Sequence, residues 1–405
     1  VSARPREGGR AEAGFSLPEL LVATVLLVAV TGGVFGLLDP AQGTFRAQPE
    51  AIDMQQRLRV VVEALQHDLL MAGAGPYHGA AGGPLVYSFA PILPWAAGVP
   101  GAGGPGAPTA RAITISYVPS TSAQATIRDD LLPGSSDVQV VAQPGCPPDD
   151  PACGFTEGMR ALVFDPSGAS GVFTVTDVRG VVLQVQHRGG PAAIVHRAGS
   201  CISHVVSHAY YLDDVVHRVQ RYDGHASNLP VVDNVAGLGF EYFGEPAPPA
   251  LRRPVSDPVG PWTTYGPRPP PVGVDETGDD WGPGENCAFR VVDGQHLPRL
   301  PDLSAGPPGA LVPLPLELLA DGPWCPGASN GAGLELTDRF DADLLRVRRV
   351  RVTVRVQVAP EALRGRNPAG ATLFANPGTS RSGHALVPDH EIRFEVTPRN
   401  MHVGR

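Results

Sequence analysis

The chain is expected to be an α+β protein, with one long N-terminal transmembrane and amphipathic helix packed on an antiparallel β-sheet head that carries a large loop insertion. Three observations lead there. Residues 15–38 form an apolar run with a single charged residue, Glu19, and a bilayer core of about 30 Å needs about 20 such residues in a helix. Met54, Leu58, Val61, Val62, Leu65 and Leu69 then recur at the spacings of an amphipathic helix. From residue 112 onward, short alternating runs separated by turn residues take over, and connections this short favour antiparallel strands over crossover helices.

Taken in order, residues 1–14 are a polar leader with Arg4, Arg6 and Arg10, which the positive-inside rule keeps on the cytoplasmic side. The transmembrane helix is expected over 15–38 and the amphipathic helix over 39–75. Gln55, Gln56, Arg59, Glu63, Gln66 and His67 take its polar face, and Gly73, Gly75 and Pro76 stop it. Pro18, Pro40 and Pro49, with Gly32 and Gly33, are expected to kink or locally melt any continuous rod.

The β-rich head is expected over 76–243. Its runs fall at 112–118, 138–141, 161–164, 172–178 and 181–187, then in a hairpin-like pair at 202–212 and 215–222 joined by Asp213 and Asp214, and finally at 238–243. Residues 244–343, rich in proline, glycine and aspartate, read as a stapled surface insertion with a short helix near 315–319 and three tryptophans, Trp262, Trp281 and Trp324. The C-terminal strands occupy 344–405. There Val350, Val352, Val354, Val356 and Val358 share one face, with Arg351, Thr353, Arg355 and Gln357 on the other. The alternation slips at Arg348 and Arg349, where a bulge is expected, and a last strand covers 392–396.

Composition excludes several functions. A net charge of −9 argues against a general polyanion binder, so nucleic acid is not an expected partner. The chain has no lysine, hence no phosphate-loop lysine for the glycine-rich residues 101–106, which read as linker. It has no GxSxG elbow and no standout pair of carboxylates, so neither an enzyme nor a cofactor is expected.

Five cysteines, all after the apolar run, point to an oxidising compartment. Cys146 with Cys153 and Cys287 with Cys325 are the candidate disulfides and Cys201 is left over, though any of the five could be the odd one. His196, Cys201, His204 and His208 have zinc-ligand side chains but lie in or near a strand-like run, and they read as ordinary strand residues. Asp275, Glu276, Asp279, Asp280 and Glu285 lack EF-hand spacing and read as a solvated acidic loop, so no metal site is assigned.

The motif Gly14-Phe15-Ser16-Leu17-Pro18-Glu19 resembles the cleavage and methylation motif of type IV prepilins. That resemblance implies a prepilin peptidase that cuts between Gly14 and Phe15 and methylates the Phe15 amine. It also implies a role for Glu19 in filament assembly, neutralising a terminal amine as a subunit docks. The ends of the amphipathic segment (residues 69–73), residues 231–242 and residues 396–400 resemble PilW-type minor pilins and PulJ-type pseudopilins of type II secretion. The partners implied are other pilin or pseudopilin subunits and the inner membrane, crossed once with the N-terminus in the cytoplasm and the head outside. A secretory signal cut near Gly32 and Gly33 and a plain membrane anchor are the competing readings, although a signal sequence has no use for a glutamate in its apolar core. A ligand- or DNA-binding minor pilin is the alternative function, resting on a basic stripe of Arg346, Arg348, Arg349, Arg351 and Arg355.

Overall fold

The structure, a computed structural model, describes residues 16–77, 83–132, 134–152, 154–164, 170–187, 195–224, 227–249, 273–274, 280–304, 309–325, 339–360, 387 and 389–401. It is α+β: one N-terminal helix and antiparallel sheets. The chain divides into two compact units, residues 1–54 with 358–389 and residues 55–357 with 390–405.

Helix α1 (Leu17–Met71) is continuous where a boundary was expected at 38/39. Pro18 lies in its first turn, where no intrahelical N–H is needed. Pro40 and Pro49 each remove one backbone bond without ending the helix. Within the first unit, the stretch Leu17–Phe35 is long and apolar enough to cross a membrane by length and composition, and its leucines and valines are exposed. Its hydroxyls bond back into the helix, Thr24 Oγ1 to the Leu20 and Leu21 carbonyls (3.0 and 2.9 Å) and Thr31 Oγ1 to the Leu27 carbonyl (2.6 Å). No polar group of that kind is left needing water, which is what a hydrocarbon surrounding demands.

The second unit holds all the described strands. They run β1 (Ile92–Leu93), β2 (Ala112–Tyr117), β3 (Gln124–Thr126), β4 (Asp137–Gln139), β5 (Arg160–Phe164), β6 (Ser170–Arg179) and β7 (Val182–His187). Next come β8 (Cys201–His204), β9 (Val206–Asp213), β10 (Arg218–Tyr222), β11 (Asn228–Asp233) and β12 (Val235–Gly244). The remainder are β13 (Gly273–Val274), β14 (Asp280–Trp281), β15 (Phe289–Val292), β16 (Gln295–Pro298), β17 (Val312–Leu314), β18 (Trp324–Cys325), β19 (Phe340–Asp341), β20 (Val347–Val356) and β21 (His390–Val396). They build a five-stranded sheet in the order β1-β2-β9-β10-β11, a six-stranded sheet β3-β8-β5-β6-β7-β4, a four-stranded sheet β17-β12-β20-β21 and three two-stranded ribbons.

The meander β5-β6-β7 and the hairpin β9-β10 follow the sequence reading. Asp213 Oδ1 accepts from the Val215 and Val216 amides (3.0 and 3.3 Å), which fixes the hairpin turn. The run expected as one strand over 202–212 is two strands in different sheets, β8 and β9, parting at Val205. Alternation continues through such a bend, so periodicity cannot reveal it. A core of Ile127, Leu131, Val140, Phe155, Val163, Phe173, Val175 and Ile202 packs on the six-stranded sheet.

The four-stranded sheet shows the expected bulge. Phe243 pairs with Arg349 but Gly244 with Val347, which leaves Arg348 as the extra residue. Val350, Val352, Val354 and Val356 are buried, and so is Gln357, which was expected on the open face. The strand begins at Val347 rather than Leu344, because Asp341 caps a 3-10 turn (Ala342–Arg346) by accepting from the Asp343 amide.

Residues 244–343 are more than a stapled loop. β17 pairs with β12 in the head sheet, β15 and β16 form a tight hairpin, and Ala288, Phe289, Leu300, Leu314 and Leu319 are buried. Strands of two to four residues leave too little periodicity to read. The helix expected near 315–319 is a single 3-10 turn, Leu318–Ala320.

The amphipathic stripe of α1 is buried at Leu58, Val61, Leu65 and Leu69, and the helix ends as predicted at Gly73. Gly73 has φ +78°, and a Cβ there would stand 2.9 Å from Met401 Sδ and 3.3 Å from Pro91 Cγ. Gly73→Ala is therefore expected to lower stability by about 1–2 kcal/mol through left-handed strain, with the Met401 and Pro91 contacts adding to it. Urea unfolding checks this, and an unchanged midpoint would contradict it.

Candidate functional site

The first candidate lies at the start of α1. Gly14 and Phe15, the expected cleavage and methylation residues, fall outside the described residues. Ser16 and Glu19 are described: Glu19 Oε2 accepts from the Ser16 amide at 2.9 Å and from Ser16 Oγ at 2.7 Å. This is half of a capping box, which the spacing S-x-x-E supplies at a helix start. Around it Leu17, Leu20, Leu21 and Val22 are exposed, so the carboxylate sits on an apolar surface with its own N-terminal turn as its partner.

A second polar centre is buried in the head, and sequence reasoning missed it. Asp68, 3% exposed, stands on the apolar face of α1 between Leu65 and Leu69. Its Oδ1 accepts from Tyr117 Oη (2.9 Å) and faces His67 Nδ1 (3.1 Å), while Oδ2 accepts from Tyr210 Oη (2.7 Å) and meets His208 Nδ1 at 2.6 Å. Tyr117 comes from β2, and His208 and Tyr210 from the neighbouring β9. The centre thus joins the last turns of the helix to two adjacent strands. Burial by itself would push Asp68 up, but the bonds from His208, Tyr210 and His67 outweigh it and hold the carboxyl at about 2. Burial and the facing carboxylate push both tyrosines upward. A carboxylate with so low an affinity for protons is a poor general base at neutral pH, and its lone pairs are already engaged. Its role is to lock helix to sheet. The available signal was a charged residue on an apolar stripe, a position that is stable only when partners are waiting.

The four residues weighed as zinc ligands do not gather. His208 is bound to Asp68, whereas Cys201 and His204 lie on β8 in the other sheet and His196 bridges to Leu131. Burial pushes the Cys201 thiol up to about 12, so it is no ready ligand. Asp275, Glu276 and Asp279 lie outside the described residues. Glu285 instead bonds the Val291 amide and Arg299 (2.8 and 3.0 Å).

The basic stripe is not an open cationic face. Arg346 and Arg348 are fully buried, Arg346 Nε standing 2.8 Å from Asp343 and Arg348 Nε 3.3 Å from Glu245. On β20, which lies between β12 and β21, Arg351 bridges Glu241 and Glu395 (2.8 and 2.7 Å), while Arg349 pairs with Glu395 (3.0 Å) and Arg355 with Glu391 (2.8 Å). Register makes this ladder, since Glu241, Arg351 and Glu395 are directly opposite one another.

Cys287 and Cys325 are bridged, with Cα atoms 5.0 Å apart. Cys146 is disulfide-bonded, and its expected partner Cys153 lies outside the described residues. Of the three tryptophans, Trp281 and Trp324 are half-buried, Arg339 lies 4.2 Å above the Trp324 ring, and Trp262 is outside the described residues. Comparisons of the chain with protein-family models, with curated proteins and with solved structures find no match.

Proposed function

We propose that the chain is a minor pilin or pseudopilin, a structural subunit that prepilin peptidase cuts after Gly14 and methylates at Phe15, and that helps initiate or cap a type IV pilus or type II secretion filament. In this reading α1 crosses the inner membrane once, with the leader in the cytoplasm and the head outside. One observation carries it: Glu19 is the single charged residue in an exposed apolar helix surface, the fifth residue after the Gly14-Phe15 junction. A carboxylate in hydrocarbon costs on the order of a few kcal/mol, so it is retained where a cation meets it. Cutting after Gly14 creates that cation on the Phe15 amine, and a neighbouring subunit's amine can then replace Ser16 as the partner of Glu19.

The pairing of Arg349, Arg351 and Arg355 with glutamates weighs against the DNA-binding alternative, which rested on a basic stripe. Expression with and without prepilin peptidase tests the proposal. Mass spectrometry is expected to find a chain that begins at a methylated Phe15 only when the peptidase is present, and Glu19→Ala is expected to be cut normally but to be depleted from sheared filaments at least tenfold. A mature start near Val34 would instead identify a secretory signal.

A further inference from the structure

Three aspartates converge near the disulfide. Asp321 follows the 3-10 turn Leu318–Ala320, Asp341 belongs to β19, and Asp343 sits in the turn Ala342–Arg346. Each offers a carboxylate oxygen, and the three lie within 4.8 Å of one another. Two of the side chains are fully buried, whereas Asp321 is exposed. Asp341 is fixed by its own loop, with Oδ2 accepting from the Gly322 amide (2.6 Å) and Oδ1 from the Asp343 amide (2.8 Å).

Asp343 differs. It is 0% exposed, yet neither of its oxygens accepts a hydrogen bond. Arg346 Nε stands 2.8 Å from Oδ1 but out of line for one, and the other two guanidinium nitrogens are held by the carbonyls of Pro246 and Pro301. A buried carboxylate oxygen without a donor costs free energy unless something positive faces it.

We propose that Asp321, Asp341 and Asp343 form a calcium site. The three oxygens lie within 4.8 Å of one another, close enough to share one ion bound at about 2.4 Å. An all-oxygen set selects a hard cation over zinc or copper. Three carboxylates against the one guanidinium of Arg346 leave two net negative charges, matching one divalent ion. The exposed Asp321 gives the ion its entry and leaves room for water ligands. Magnesium is disfavoured because it demands near-ideal octahedral geometry and dehydrates reluctantly. Sequence could not assemble this set, since Asp321 is 20 residues from Asp341 and no loop motif links them.

The test is calorimetric titration of the chelator-treated full chain, in detergent micelles at pH 8, with calcium chloride and separately with magnesium chloride. One saturable calcium per chain is expected, with magnesium at least tenfold weaker. Asp343→Asn is expected to abolish binding. Because a change at that buried position can also disturb folding, Asp321→Asn provides the second arm: it alters an exposed side chain, is expected to keep the native circular dichroism spectrum, and is expected to weaken calcium at least tenfold. Absence of saturable binding at millimolar calcium, unchanged affinity in Asp321→Asn, or magnesium binding as tight as calcium would each overturn the proposal.

Discussion

Replacing Asp68 with alanine is expected to destabilise the head by about 3–5 kcal/mol, the usual cost of removing one side of a buried charged network. The loss exceeds that of one hydrogen bond because Tyr117 and Tyr210 keep buried hydroxyls, and His208 a half-buried ring, with no acceptor. The same centre sets an acid limit. The Asp68 carboxyl is held at about 2 in the folded chain against an ordinary 3.8, so between those values the unfolded state binds more protons than the folded one. Stability from this group is fully present above about pH 5 and is lost as pH falls through about 4 to about 2, by about 2.5 kcal/mol in total. The charged and titratable groups facing it are His67 on its own helix, Tyr117, His208 and Tyr210 on the sheet, and the more distant Arg221. Urea unfolding of the full chain in micelles at pH 7 and pH 3 checks both statements. Asp68→Asn should flatten the difference between the two pH values, and an Asn variant with wild-type acid sensitivity would show that other carboxyls set the limit.

The second large effect is expected on removing the Cys287–Cys325 bridge. It closes a separation of 38 residues, for which the chain-entropy relation gives about 4 kcal/mol. Cys325 lies in β18, which pairs with β19 immediately before the turn that leads into β20, so the bridge ties the β15–β16 hairpin to the entry of a central sheet strand. A variant carrying Cys287→Ser and Cys325→Ser is expected to unfold at lower urea and to be cut by protease within residues 280–325 before the six-stranded sheet is attacked. Equal resistance of both proteins would mean that Phe289, Leu300 and Leu314 hold the segment without the bridge.

These two centres mark how far the sequence could be read. Periodicity located the amphipathic half of α1, the β5-β6-β7 meander and the bulge at Arg348, because each is a local pattern written over consecutive residues. It failed wherever the determinant was non-local. Nothing near Asp68 announces Tyr117, His208 and Tyr210, which arrive from 49 to 142 residues away. Arg346 and Arg348 looked like members of an exposed stripe because alternation was carried back through a turn and a bulge that reset it. The insertion looked loose because its strands are shorter than the window in which alternation can be counted. The N-terminal motif is the opposite case, a chemical pattern of six adjacent residues that is legible without any non-local contact.

The end of α1 is finished by the far end of the chain. Asn400 Nδ2 reaches the Met71 carbonyl at 3.4 Å across a separation of 329 residues, and Met401 packs under Gly73. The edge strand β21 likewise pairs with β20 only through residues that follow position 389. A nascent chain therefore exposes the end of its helix and one edge of β20 before the residues that cover them exist. High contact order of this kind slows folding and prolongs the time that unpaired edges are open to other chains. Until β21 arrives, β20 keeps the edge opposite β12 unpaired.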